Sequence, residues 1–297
     1  EWVRPGSVSD ASRLLAEGGE RTLALAGGTS LAFVKPARKE RVVDLSRLPL
    51  DFLEVKGSRL RLGALLPIGR LGEDDASRHW AGGMLACAAK HIASTPVRNL
   101  VTVGGNVVQI YPWSDLPPAL WALGAEFLVT GPGGDRQLTA DEFFARHPKV
   151  ALGPGTLLSE VGVPELGAAE TPFFETFTRS AVDFALVTVA GWLRCKGGRC
   201  TGARIILAAC GALPQRLREV EEALVSPGDK DDQWISRAVS VLRAVGKLPA
   251  DFRATAEFRR HVAGVLLSRG LSGGGGAASD AVRGAAEKCA CRGKGRK

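Results

Sequence analysis

The residues best placed to do chemistry are two pairs of glycines set beside small hydroxyl or amide side chains. The first is Ala26-Gly27-Gly28-Thr29-Ser30, followed by Leu31; the second is Thr102-Val103-Gly104-Gly105-Asn106, which opens the stretch running on through YPWSDLPPAL. Each comes just after an apolar run, where a strand would end. Glycine has no Cβ, so main-chain N–H groups there can converge on anionic oxygens. Either stretch alone reads as no more than a tight turn between strand and helix. Two of them in one chain point to a ligand with a long pyrophosphate. Neither fits GxxxxGK[ST] or GxGxxG, so nucleotide hydrolysis and the standard dinucleotide fingerprint are both poorly supported.

Other reactive side chains are less organised. The four histidines, His79, His91, His147 and His261, show no Ser-His-Asp or Cys-His arrangement. Three sit in helix-like segments and His147 precedes Pro148 in a loop, so hydrolase chemistry is disfavoured. Six cysteines, at 87, 195, 200, 210, 289 and 291, show neither a disulfide framework nor the paired CxxC spacing of a zinc or iron-sulfur site, and no metal is expected. Cys195 and Cys200 flank the turn-like KGGR, where two strand ends could bring thiols close; in a reducing compartment they read as free cysteines.

The elements that must position the glycine pairs follow from periodicity. Ser7 with Asp10 three residues on resembles a capping box ahead of a short amphipathic helix that stops at Gly18-Gly19. RTLALA (21–26), the first glycine pair and RVVDL (41–45) then read as a small β-α-β-type lobe over about 1–55. A second lobe, about 56–165, holds RLRLG, a helix from about Ser77 to Ile92, the second glycine pair, and a helix begun by Asp115 with Pro117 and Pro118 in its first turn. It closes on the strands EFLVTG and LLSEVGVP. After the linker GAAET comes an α+β unit over 170–271: FFETFT, ALVTVAGWLRC and ARIILAAC as strands, then helices at 213–225, 233–245 and about 252–267. SGGGG is expected to end it, leaving 272–297 as a flexible basic tail.

With 297 residues and 45% apolar content the chain can bury several cores. The net charge of +8 is concentrated visibly in the tail, and no basic stripe interleaved with aromatics appears, so nucleic acid is not an expected partner. No apolar run approaches membrane-spanning length and no basic-then-apolar leader is seen, so the reading is cytoplasmic.

The two glycine motifs, their order, DLPPALWAL and VDFALVTVAG together resemble the FAD-binding medium subunit of the molybdenum hydroxylases, the xanthine dehydrogenase and carbon monoxide dehydrogenase flavoprotein type, over about residues 1–270. The resemblance implies an α+β chain: a two-lobed FAD-binding domain of the p-cresol methylhydroxylase and vanillyl-alcohol oxidase type at 1–165, then a small C-terminal α+β domain. It implies non-covalent FAD, with Ala26 to Leu31 and Thr102 to Asn106 offering backbone and hydroxyl donors to the pyrophosphate and ribityl chain. Asp115 matches a cofactor-contacting aspartate, and Ile92 and Leu158 match apolar cofactor-lining places, although core packing accounts for these two equally well. Molybdopterin and iron-sulfur clusters would belong only to partners, a large and a small subunit, in a hetero-oligomer for which a dimer of heterotrimers is one arrangement.

Two departures stand out. Thr176 and Thr178 occupy FFETFT where relatives often carry a lysine, which puts flavin potential and oxidant preference in doubt. Tyr111 stands where a small or acidic residue is common, either stacking on the isoalloxazine and gating it or packed as an ordinary buried tyrosine. No cysteine lies between Asn106 and Pro164, so the extra cluster of the benzoyl-CoA reductase branch is not expected. The implied function is electron transfer from an iron-sulfur subunit to NAD(P)+, quinone or another acceptor. A redox-silent docking subunit and a free-standing flavin reductase are the alternatives.

Overall fold

A computed structural model describes residues 1–32, 40–196, 199–225, 234–246 and 248–274. The first lobe is built from β1 (Trp2–Val3), α1 (Val8–Gly18), β2 (Thr22–Leu25) and β3 (Arg41–Asp44). All three strands are parallel, in the order β1-β3-β2. Ser7 caps α1 by accepting a hydrogen bond from the Asp10 N–H at 3.0 Å, as the capping-box spacing predicts. Ala11 on α1 meets Val43, Leu45, Leu48 and Leu50 in a small core.

The second lobe opens with β4 (Leu53–Lys56) and β5 (Arg59–Gly63), followed by six short helices: α2 (Ile68–Glu73), α3 (Asp75–His79), α4 (Met84–His91), α5 (Thr95–Arg98), α6 (Val103–Val108) and α7 (Leu116–Ala122). It then adds β6 (Glu126–Gly131), β7 (Gly134–Thr139), α8 (Ala140–Phe144), α9 (Pro148–Leu152) and β8 (Leu157–Pro164). The strands form an antiparallel sheet in the order β4-β5-β8-β6-β7. Helix α7 reads LPPALWA and is buried at every position. A helix apolar all round has no solvent face to offer, so it lies in the middle of the molecule.

One expected helix is broken. The stretch from Ser77 to Ile92 divides at Trp80–Gly83, because Ala81, Gly82 and Gly83 take positive φ there. A pair of glycines makes that left-handed reversal inexpensive, and the helical periodicity on either side hid it.

The C-terminal unit holds β9 (Glu170–Phe177), β10 (Val187–Lys196), β11 (Arg199–Ala208), β12 (Gln215–Arg216), α10 (Arg218–Val225), α11 (Trp234–Ala244) and α12 (Ala256–Gly274). Its antiparallel sheet runs β12-β11-β10-β9. Side chains alternate across a strand: Val187, Val189 and Leu193 pack with the helices, whereas Ala190 and Ile206 join the core of the second lobe. The helix read over 213–225 begins only at Arg218, since Gln215 and Arg216 pair with β11. Phe252 precedes the last helix instead of starting it, and that helix runs into SGGGG as far as Gly274, the last described residue. The remainder of the basic tail, with Cys289 and Cys291, lies outside the described residues. Among the described residues, no helix is long and apolar enough to cross a membrane.

The units are tied by specific contacts. The Ser12 hydroxyl, buried on α1, donates to the Gly155 carbonyl at 2.7 Å. Across the second junction, Asp141 accepts from Trp121 Nε1 (2.6 Å), Arg216 (2.8 Å) and Arg218 (3.1 Å), while Glu221 accepts from Arg216 and from the Ile205 N–H (2.9 Å).

Candidate functional site

The first glycine motif leaves the carboxyl end of β2, an edge where ligands commonly bind parallel sheets. The backbone turns at Ala26 and Gly27, passes Gly28 at φ +69, and enters a single 3-10 turn over Thr29–Ala32, closed by the Leu31 N–H on the Gly28 carbonyl at 3.0 Å. Within the described residues, the N–H groups of Gly27, Gly28, Thr29 and Ser30 and the hydroxyls of Thr29 and Ser30 donate no hydrogen bond. The first N–H groups of any helical turn are orphans in this way and accept anions readily.

The second motif meets the first. A Cβ on Gly27 would fall inside the Leu100 carbonyl group, 2.8 Å from its carbon, so glycine is the residue that lets the two segments touch. Leu100 and Val101 lead straight into Thr102. There the chain is pinned by the Ile68 N–H on the Val101 carbonyl (2.8 Å) and the Val103 N–H on the Leu66 carbonyl (2.9 Å).

The two motifs nevertheless differ in kind. Thr102 is the N-cap of α6 and accepts from the Gly105 N–H at 3.0 Å. The Gly104 N–H binds the Ala64 carbonyl at 2.8 Å and the Asn106 N–H binds the Thr102 carbonyl at 2.9 Å. The expectation that Thr102 to Asn106 offer backbone donors is therefore corrected: Val103, Gly104, Gly105 and Asn106 already have acceptors within the chain. Gly104 serves packing, since a Cβ would come 2.8 Å from the Ala64 oxygen. What the second motif leaves open is a side chain, the buried Asn106 Oδ1, which has no partner among the described residues.

Beyond α6, the Ser114 N–H donates to the Tyr111 carbonyl (2.9 Å) and the Ser114 hydroxyl accepts from the Tyr111 N–H (3.0 Å), making a tight bend. Tyr111 stacks on Trp113 with ring centres 5.4 Å apart, and Trp113 stacks at 4.5 Å on Phe184 from the C-terminal unit. The Arg253 guanidinium lies over Trp113 at 5.6 Å. The Tyr111 hydroxyl is buried and has no partner among the described residues.

Asp115 is 5% exposed and does not cap α7 with its side chain, contrary to expectation. The prolines at the helix start need no cap for their missing N–H, and the carboxylate instead accepts from the Thr188 hydroxyl at 3.4 Å. Thr188 in turn contacts the Thr176 hydroxyl at 2.9 Å. Burial pushes the Asp115 carboxyl up to about 7, with the Thr188 hydrogen bond opposing it.

Ile92 ends α4, half-buried against the second-lobe core, and Leu158 is buried within that core on β8. Arg98, which sequence reasoning passed over, holds this region: its guanidinium donates to the carbonyls of Ile92 (3.1 Å) and Ala93 (2.7 Å). An arginine shortly after a helix end is the available signal for such a cap. Asp44 was missed as well. It closes β3 beside the first motif, accepting from Arg4 at 2.8 Å and Trp2 at 3.2 Å, which hold it well below the usual carboxylate range.

Comparison with known proteins decides the family. Residues 1–166 match the FAD binding domain in molybdopterin dehydrogenase, and residues 172–273 match the CO dehydrogenase flavoprotein C-terminal domain. The chain belongs to the FAD-binding medium subunits of the molybdopterin dehydrogenases. This medium subunit is 30% identical to the carbon monoxide dehydrogenase medium chain of Afipia carboxidovorans, over 91% of its own length and 95% of that protein. It is 28% identical to the glyceraldehyde dehydrogenase medium chain of Sulfolobus acidocaldarius, covering 90% and 95%. A solved carbon monoxide dehydrogenase from Hydrogenophaga pseudoflava superposes with a TM-score of 0.85 at 29% identity, over 92% of this chain and 96% of that one. The subunit is thus part of an oxidoreductase complex and carries an FAD-binding domain. The residues present fit that group: a glycine cradle whose donors are free among the described residues, and two buried polar atoms, Asn106 Oδ1 and Tyr111 Oη, that have no partner among the described residues.

Proposed function

We propose that this medium subunit binds FAD non-covalently at the junction of the two glycine motifs. It then passes electrons from an iron-sulfur subunit, which drains a molybdopterin subunit, to an external acceptor such as NAD(P)+ or quinone. When bound, FAD supplies the exchange between single-electron and paired-electron transfer. The chain's own residues bind, orient and shield. Gly27 to Ser30 offer N–H and hydroxyl donors to the pyrophosphate, with Ala26 and Leu31 bounding the turn. Thr102 and Asn106 offer polar side-chain atoms, and the carboxyl of Asp115 accepts from cofactor hydroxyls. Ile92 and Leu158 back the site from the core, and Tyr111 with Trp113 and Phe184 covers one end of it against water. The small iron-sulfur and large molybdopterin subunits are the expected partners in a cytoplasmic hetero-oligomer, with FAD the only cofactor on this chain.

The observation that carries this reading is the contact between the motifs: an unspent cradle at Gly27–Ser30 lies directly against the segment that presents Asn106. The test is to purify the native complex, record its flavin spectrum and add its reductant. The expected result is one FAD per medium subunit that bleaches and recovers with an acceptor. A complex without flavin, or with flavin that stays oxidised while the clusters are reduced, would overturn it.

A further inference from the structure

Strands β10 and β11 are joined at one end by the two residues between Lys196 and Arg199. The register there sets Lys196 opposite Arg199 and Cys195 opposite Cys200. Opposed residues of an antiparallel ladder alternate between hydrogen-bonded pairs and closer non-hydrogen-bonded pairs with Cα atoms about 4.5 Å apart. Cys195 and Cys200 are directly opposed, next to a bulge between Arg194 and Cys195 that leaves Thr201 without an opposite residue, and either pair type, with Cα atoms about 4.5 or 5.5 Å apart, suits them. A disulfide spans Cα separations of about 4.4 to 6.8 Å, so the ladder already supplies the spacing.

The side chains agree. Neither thiol is in a disulfide, the two interact electrostatically, and the Cys200 thiol also donates to the Gly202 carbonyl at 3.3 Å. Burial raises both, but their mutual contact works in opposite senses, favouring charge on Cys195 and opposing it on Cys200. Cys195 is also the more exposed of the two, Cys200 being packed into the C-terminal core. Attacking and resolving roles are thus distinguishable by position.

We propose that Cys195 and Cys200 are a reversible dithiol–disulfide modification site whose oxidant is a low-molecular-weight disulfide. The Cys195 thiolate attacks one sulfur of that disulfide, forming a mixed disulfide and releasing one small thiol. Cys200 then loses its proton, attacks the Cys195 sulfur and displaces the second small thiol. Two protein thiols are oxidised and one external disulfide is reduced, with both protons carried away on the released thiols. The staple closes the outer end of β10, whose opposite end carries Thr188, so its effect falls on the sheet and leaves the flavin site intact.

The test uses the full chain in its native complex, reduced, equilibrated with glutathione disulfide, alkylated and digested with trypsin. Trypsin cuts after Lys196 and Arg199, so the two cysteines leave in separate fragments unless they are bonded. The expected product is one cross-linked pair lighter by two hydrogen masses, with the flavin spectrum unchanged. Cys200→Ser should instead accumulate glutathione on Cys195, and Cys195→Ser should accumulate neither product at this hairpin. Phenylarsine oxide should bind the reduced complex here and fail to bind the oxidised one. Persistent glutathione on Cys195 in the unaltered chain, or the same products from Cys200→Ser as from the unaltered chain, would overturn the assignment.

Discussion

Gly27→Ala tests the junction of the two motifs most directly. The added Cβ would stand 2.8 Å from the Leu100 carbonyl carbon and closer still to its oxygen. Ordinary carbon–carbon contact lies near 3.5 to 4.0 Å and the oxygen is nearer than the carbon, so the segments must part by more than about 1 Å. Leu100 cannot yield cheaply, because its own N–H is bonded to the Val97 carbonyl at 3.0 Å and the residues after it are held by Ile68 and Leu66. Overpacking of this kind costs about 1–3 kcal/mol. If the displacement is confined to the state that grips the cofactor, FAD retention should weaken about 5- to 150-fold, at tenfold per 1.4 kcal/mol. The assay is FAD titration of the deflavinated complex by fluorescence quenching, with thermal unfolding in parallel. Gly133→Ala is the control, since a Cβ there meets nothing within 4 Å. Equal FAD affinity for Gly27→Ala and Gly133→Ala would refute the reasoning that contact between the motifs makes the site.

Three further outcomes are expected. Asp115 ionises near 3.8 when unfolded but near 7 when buried, so between about pH 4 and 7 the unfolded chain releases a proton the folded one keeps, and stability falls as pH rises through that window. The ceiling is on the order of 4 kcal/mol. Asp115→Asn should remove this slope in urea unfolding of the cofactor-free chain, and a variant-to-parent difference that is flat with pH would count against it. Tyr111→Phe deletes a buried hydroxyl without a partner and should stabilise the cofactor-free chain by about 1 kcal/mol. If the phenol bonds the cofactor, the same change should weaken FAD binding about fivefold; a gain in both measurements would exclude that bond. Arg216→Ala strands Glu221, which is 8% exposed, and should cost about 3 kcal/mol in unfolding experiments, whereas an effect below about 1 kcal/mol would show the cluster to be solvated.

The strands and both glycine motifs were legible because alternation and glycine pairing are local properties. The motifs' unequal roles were not. Whether the Gly104 N–H is spare depends on the Ala64 carbonyl, which β5 delivers from far along the chain. Asp115 was read as a cap from its position before two prolines, but the partner that claims it, Thr188, belongs to another sheet. The break at Trp80–Gly83 escaped notice for the opposite reason, since helical spacing resumes in phase after it. Arg216 falls within the helix read over 213–225, and only edge pairing with Ile206 makes it a strand residue. The aromatic stack joins Trp113 to Phe184, and no pattern in either segment alone announces the other.

Adjacent residues of β8 serve different masters: Leu157 is buried with the first-lobe core and Leu158 with the second. Swinging one lobe away from the other would wrench a strand in the interior of its sheet, hydrogen-bonded on both sides by β5 and β6. The medium subunit is accordingly stiff along that seam. A dinucleotide seated at the proposed site would therefore not be released by the two lobes swinging apart.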